Sequence, residues 1–509
     1  MLFSCIVLVP VLSYFLARAY CLLWRKPKAL EKLLRRQGFE GNNYRFFYGD
    51  AKEEKEAFVD AWSRPMDTHT HGILPRVSPF LHRTLERYGK NSFSWSGAVP
   101  RIVIWDLEIA REILQNKSGH IRKPPPNPLT RSLATGVANL QGEELAKRRK
   151  IIIPAFRLEK LKEMVPDTLT SCQDLIKRWD ELARRSEGSC ELDVWVEFDN
   201  LTGDIISRTA FGSSFEEGKR IFQLQKEQAV LLVEAATSPY IPGLRFMPTA
   251  KNKKRKQLDE EIKSILRAII NRKLKLMESE ESDCSDLLGL LLQLTKDHDK
   301  DGITVADVIE ECKLFYFAGQ ETTSTLLTWT LVLLSMHPTW QQKAREEVLN
   351  TCGGNAPGFE SLTQFRVVSM ILYEVLRLYS PATSLSRRTF EECKLGEYIF
   401  PAGVDLVVPI AWMHHDPEFW GDDAEVFNPE RFSEGVSKAT KEGRNAFYPF
   451  GWGQRMCLGQ NFAIMEAKVA LALVLQNFSF QLSPYYVHAP CKVITLQPQH
   501  GAHVIMRRL

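Results

Sequence analysis

The order of apolar and polar positions divides the chain into one continuous apolar stretch and a long remainder dominated by helical periodicity. Residues 2–24 are apolar apart from Ser4, Ser13 and Arg18. At about 1.5 Å per residue such a stretch matches the roughly 30 Å of a bilayer core, which predicts a spanning helix. Further on, apolar residues return every three to four positions over runs such as 165–184 and 258–277, the spacing of amphipathic helices. Alternating runs at 101–105 and 404–409 predict strands. The expected fold class is mainly α with a minor β region (α+β). The longest expected helix opens at Thr304, with Asp307 placed to complete a capping box, and ends at His337 before Pro338. Its middle, Ala318-Gly319-Gln320-Glu321-Thr322-Thr323, is poor in helix formers. Small and hydroxyl residues there predict the close approach of something flat, with a local distortion.

Charge adds direction. Arg25, Lys26, Lys28, Lys32, Arg35 and Arg36, set against Glu31 alone, follow the apolar stretch and by the positive-inside bias place everything downstream in the cytosol. The competing reading is a cleaved signal peptide ending near Ala17-Arg18-Ala19, but no positive charge precedes the apolar run. The expected organisation is therefore residues 1–24 as a transmembrane anchor and residues 25–509 as one cytosolic unit, on the endoplasmic reticulum membrane. Elsewhere the 66 basic and 62 acidic residues nearly balance, which gives no reason to expect nucleic acid as a partner. Ten cysteines without a C-x-x-C pair argue against a disulfide framework or a zinc site. The basic run 251–256 and the acidic run 278–286 predict solvated loops beside helix ends, and the proline-bearing loops 123–128 and 238–248 predict stiff irregular backbone.

One cysteine stands apart. Cys457 lies in Phe450-Gly451-Trp452-Gly453-Gln454-Arg455-Met456-Cys457-Leu458-Gly459, directly before a helical apolar pattern. Free N–H groups at a helix start and the nearby Arg455 favour a thiolate. Gly453 and Gly459 permit unusual backbone angles and close packing on a planar ligand. A thiolate held in this way suits haem iron, where its electron donation favours O–O cleavage.

These residues match, at Phe450, Gly453, Arg455, Cys457 and Gly459, the F-x-x-G-x-R-x-C-x-G signature of the cytochromes P-450, which the chain resembles. At about 1 in 20 per position, a chance match anywhere in the chain is on the order of 1 in 10⁴. Order strengthens it: the mid-helix A-G-x-E-T motif, Glu374-x-x-Arg377, Pro429-Glu430-Arg431-Phe432 and the cysteine loop follow one another as in that family. The resemblance implies a cytochrome P-450 fold with an N-terminal transmembrane helix, and Cys457 as axial ligand of a haem. It implies propionate contacts from Arg455, Arg149 and Arg387, and a supporting ionic network of Glu374, Arg377 and Arg431. Glu321 and Thr322 match an acid–alcohol pair that relays protons. Leu145 stands where the family usually has Trp, which predicts looser haem retention; Gln454 replaces a common proline.

No G-x-G-x-x-G nucleotide fingerprint is present, so the resemblance implies electrons from a separate NADPH-dependent flavoprotein reductase on the same membrane. Pocket segments expected from it are 123–133, 232–246, 314–318, 382–385 and 487–490, mostly apolar and suited to a hydrophobic substrate. The text after the anchor and the run around Ala318 look like the plant microsomal clan that oxidises terpenoids and isoprenoid-derived hormones. The implied activity is insertion of one oxygen atom from O2 into such a molecule; the alternative is a haem-thiolate isomerase or dehydratase that does not use O2.

Overall fold

The computed structural model describes residues 2–115, 119–129, 133, 135–213, 215–236, 243–279, 286–296 and 303–509, with side chains described from Pro10 onward except at 215, 216, 236 and 296. Helices carry most of the chain. The expected runs lie within Leu158–Arg185 and Ala250–Glu278, and the basic run 251–256 forms the first turns of the latter helix rather than a loop. The acidic run 278–286 lies largely outside the described residues, as do 238–242 of the loop 238–248 and part of 123–133. The helix Val305–Met336 is the structural axis. Thr304 and Asp307 form the reciprocal capping box that the sequence predicts, and His337 is its C-cap.

That axial helix runs without a break through Gly319, so the expected distortion is absent. The glycine has another physical reason. A Cβ there would lie 2.8 Å from Ile206, a residue of helix Val194–Phe211, so the missing side chain lets two helices close on each other.

The main sheet has six strands in the order Glu40–Gly41, Ser92–Ser96, Val99–Val103, Asp405–Val408, Leu385–Thr389 and Ile121–Arg122. Strand Leu385–Thr389 pairs antiparallel on both sides. Successive side chains of a strand point to opposite faces. Arg388 therefore turns away to a bidentate pair with Asp405, at 2.6 and 2.8 Å, while Leu385 and Arg387 share the other face. A hairpin of Pro490–Lys492 and Leu496–Pro498 docks on the axial helix, where the Trp329 indole N–H donates to the Leu496 carbonyl at 2.7 Å.

At the N-terminus, helix Leu2–Tyr20 continues through a π-turn, Cys21–Arg25, into helix Lys26–Arg36. Among the described residues no helix is long and apolar enough to cross a membrane. Val11, Leu12, Phe15 and Leu16 are exposed, and the segment meets the body where the Tyr44 hydroxyl donates to the Leu23 carbonyl at 2.5 Å.

Candidate functional site

Between the middle of the axial helix and the loop before Gln460 lies a cavity of about 410 Å³, within the range of small-molecule sites. It brings together Cys457, Arg455, Arg149, Arg387, Phe450, Gly459 and Thr322. Of the expected pocket segments, Lys123, Leu314, Phe315, Ala318, Ala382 and Leu385 line it; no described residue of 232–246 or 487–490 does.

The cysteine loop is closed by its own backbone. The Cys457 N–H donates to the Phe450 carbonyl at 2.9 Å, and Gly451 N–H to Tyr448 at 3.0 Å. Cys457 stands two residues ahead of Gly459, the N-cap of helix Gln460–Asn477, as expected. Its side chain is exposed to the cavity yet enclosed by protein. Burial raises the thiol, opposed by a hydrogen bond from the Gly459 N–H and by the positive charge of Arg149 rather than of Arg455. The two glycines differ from expectation. Gly453 has φ +71°, and a Cβ would lie 2.5 Å from the Leu114 carbonyl oxygen, so it is the protein backbone that presses on it. Gly459 has φ −92°, and its nearest neighbour would be Phe156 at 3.9 Å, leaving the space above it open.

Around the thiol stands a group of cations. Arg455 donates to the Ala138 carbonyl at 3.2 Å and to that of Leu140. Lys123 shares the Ala138 carbonyl at 3.0 Å and reaches Asn139 Oδ1 at 3.2 Å. Among the described residues Arg387 finds only the Ser386 carbonyl, at 2.9 Å. Arg149 is carried on helix Gly142–Ile152, which is fixed by an ion pair of the neighbouring Arg148 with the fully buried Glu311 at 2.7 Å. Burial, then Arg455 and Arg387, push Lys123 down to about 8. Burial, then Arg455, push Arg387 down to about 10. Among the described residues no carboxylate pairs with Lys123, Arg149, Arg387 or Arg455. Buried charge without a partner is costly, so the site is built for an anion that the chain itself does not supply. Lys123 is the member the sequence motifs do not mark, because the loop that carries it has no motif of its own.

Behind the loop, Glu374 and Arg377 sit one helical turn apart and fully buried. Two hydrogen bonds of 2.7 Å join them. Arg377 also donates to the carbonyls of His414 at 2.8 Å and Ala424 at 2.5 Å. Arg431 completes the network, 3.7 Å from Glu374 and 2.6 Å from Asp423. His414 links it to the cysteine loop: one ring nitrogen meets the Arg377 carbonyl at 3.2 Å, and the other accepts from the Tyr448 N–H at 3.0 Å.

Glu321 and Thr322 are not brought together. Side chains of consecutive helical residues diverge by about 100°, and only Thr322 faces the cavity, its hydroxyl donating to the Ala318 carbonyl at 2.7 Å. Glu321 turns to the C-terminal hairpin, accepting from the Thr495 hydroxyl at 2.7 Å and from Gln497. Burial raises its carboxyl, as does Asp199, against those two donors and Lys226.

A helical body with a minor sheet, and a cavity joining a thiol to unpaired cations, define the class of haem-thiolate proteins. The family model "Cytochrome P450" matches residues 76–499. Cytochrome P450 CYP72A616 of Paris polyphylla is 52% identical over 493 residues, covering 96% of this chain and 95% of that protein. A 7-deoxyloganic acid hydroxylase of Catharanthus roseus is 47% identical, covering 99% of this chain and 98% of that protein. Secologanin synthase 2 of the same plant is 47% identical, covering 96% and 93%. The fold is similar to that of retinoic acid-bound cyanobacterial CYP120A1, with a TM-score of 0.73 at 23% identity over 86% of this chain and 96% of that one. The chain belongs to the cytochrome P450 family, whose members are haem-thiolate monooxygenases. The residues present fit that group: a thiol open to the cavity, cations without anions, and apolar walls between them.

Proposed function

We propose that the chain is a membrane-anchored hydroxylase of plant terpenoids, with residues 1–24 as anchor and residues 25–509 as one catalytic unit. The observation that carries the site is the cation group without carboxylates beside Cys457. In this reading Cys457 would supply the thiolate that holds the haem iron. Arg455, Arg149, Arg387 and Lys123 hold the propionates, while Phe450, Gly453 and Gly459 shape the loop. Glu374, Arg377 and Arg431 are structural support, and the bidentate pairing of Glu374 with Arg377 is what makes buried charge tolerable. The bound haem supplies dioxygen activation.

Per turnover one oxygen atom enters the substrate and the other leaves as water, consuming two protons and two electrons. An NADPH-dependent flavoprotein reductase is the electron source in this reading. Thr322 faces the reaction space, and Glu321, reloaded from solvent, is the acid that feeds it. The apolar wall of Leu314, Phe315, Ala318, Ala382 and Leu385 excludes water and orients a hydrophobic substrate. Relatives named for iridoid substrates support a terpenoid. The exposed apolar residues 11–16, followed by the basic segment 25–36, support endoplasmic reticulum anchoring with the body on the cytosolic side.

The reduced, carbon-monoxide-bound absorption spectrum tests the site. A red-shifted Soret band is expected in the parent and absent in Cys457→His; its absence from folded, haem-loaded parent overturns the assignment. Turnover of an iridoid and triterpenoid panel with reductase and NADPH tests the substrate class, and removal of residues 1–24 is expected to shift the protein from membrane to soluble fraction.

A further inference from the structure

The acid of the proton relay is fastened on the wrong side of its helix. Glu321 lies in the axial helix but faces the C-terminal hairpin. One of its oxygens takes both the Thr495 hydroxyl at 2.7 Å and the Gln497 amide. Thr495 is buried and lies 3.2 Å from the Thr325 hydroxyl, whose single proton is shared between Thr495 and the Glu321 carbonyl, 2.8 Å away. The other groups facing this carboxyl are Asp199, on helix Val194–Phe211, and Lys226, on helix Phe215–Ala236. Those two are paired with each other, and Asp199 Oδ1 is buried without a partner, so neither donates to Glu321.

We propose that Thr495 and Gln497 are positioning residues that latch the Glu321 carboxyl away from the cavity, so that its release governs proton delivery in the monooxygenase reaction. This rests on the reading of Glu321 as the proton donor. Burial raises the Glu321 carboxyl overall, and the two donors act against that rise; because they bind the carboxylate more strongly than the neutral acid, the hold of the hairpin tightens when the proton leaves. The acid, once loaded, has less reason to stay. A proton then leaves the Glu321 carboxyl towards Thr322, and the carboxylate returns to the hairpin to be reloaded from solvent. The electrons come from the flavoprotein reductase throughout.

The test uses Thr495→Val, Gln497→Leu, Thr495→Ser and Glu321→Gln in the full chain, each first checked for haem content and unfolding temperature. Two readouts follow: the pH dependence of product formed per NADPH consumed, and the Glu321 carboxyl band in infrared difference spectra of the resting protein. Removing a donor should raise the pH midpoint by about one unit and shift the band, with Thr495→Ser restoring both. Glu321→Gln should lose about 100-fold in product formation. An unchanged midpoint and band in both Thr495→Val and Gln497→Leu, while Glu321→Gln collapses, overturns the latch alone. Unchanged product formation in Glu321→Gln overturns the underlying reading instead.

Discussion

At the residue scale, Leu145 and Lys123 are expected to pull haem retention in opposite directions. Leu145 is buried and lines the cavity but offers no indole N–H, whereas Lys123 brings a cation to the same cavity. A charge-assisted hydrogen bond is worth about 1.5–3 kcal/mol, so Lys123→Met is expected to speed haem transfer to excess apomyoglobin by at least about tenfold. Leu145→Trp should slow it, and Lys123→Arg should leave it near the parent. Transfer at the parent rate in Lys123→Met removes Lys123 from the propionate group. Glu466 is a second residue whose chemistry is decided by burial. Its carboxyl is fully enclosed in helix Gln460–Asn477, neither oxygen has a hydrogen-bond partner of good geometry, and burial raises it far above the usual range against partial relief from Thr323. A raised acid gives stability that is complete below its unfolded value, about 4.3, and lost as pH rises towards the folded value. Glu466→Gln should therefore gain in unfolding temperature over the parent as pH goes from about 5 to 8. A difference that stays flat across that range contradicts a neutral Glu466.

At the scale of elements, the turn carrying Arg455 depends on Gly453. Its φ is +71°, and an added Cβ would lie 2.5 Å from the Leu114 carbonyl, an atom of helix Leu107–Gln115 that cannot move alone. Gly453→Ala is expected to displace the cysteine loop, cutting the fraction of protein that shows the thiolate carbon-monoxide band, with recovery if Leu114–Gln115 is also loosened by Gln115→Gly. A full band in Gly453→Ala would show that the loop tolerates the clash. Elements of this kind were legible in the sequence to unequal degrees. The axial helix could be read to its caps because Thr304, Asp307 and Pro338 are local signals. Glu374, Arg377 and Arg431 could be read because spacing and order carry them. Lys123, Thr495 and Gln497 could not, since their roles arise from tertiary approach of a loop and a hairpin to residues far away in the chain. That the Glu321 and Thr322 side chains point apart was not legible for the same kind of reason: neighbours in sequence diverge on a helix, and it is the hairpin that draws Glu321 aside.

At the scale of the whole molecule, buried histidines tie distant parts of the chain together and set its acid limit. His71 meets the Tyr379 hydroxyl at 3.1 Å and His337, the C-cap of the axial helix, also at 3.1 Å. Tyr379 meets His488 at 3.2 Å, and His488 meets Tyr486 at 2.8 Å. Burial, with the neighbouring His337, His488, His415 and Arg377, pushes His71 down to about 3. Burial likewise pushes His414 and His415 to about 3 and His488 to about 4. An unfolded histidine binds its proton near 6.5, so below that pH the unfolded chain holds more protons than the native one, and stability falls until the folded values are reached. Each such group contributes a slope of up to about 1.4 kcal/mol per pH unit. The raised acids Glu321, Glu466 and Glu311 act with the opposite sign above about 4.3, so the total slope of the parent does not isolate the histidines. The difference between parent and His71→Asn does, because asparagine keeps a donor and an acceptor but takes no proton. In denaturant titrations between about pH 7 and pH 5, the parent should lose stability relative to this variant by roughly 1.4 kcal/mol per unit once below 6.5. Parallel pH profiles for the two proteins would mean that His71 is protonated in the native state after all, and that the His71–His337 contact is a shared proton rather than a neutral pair.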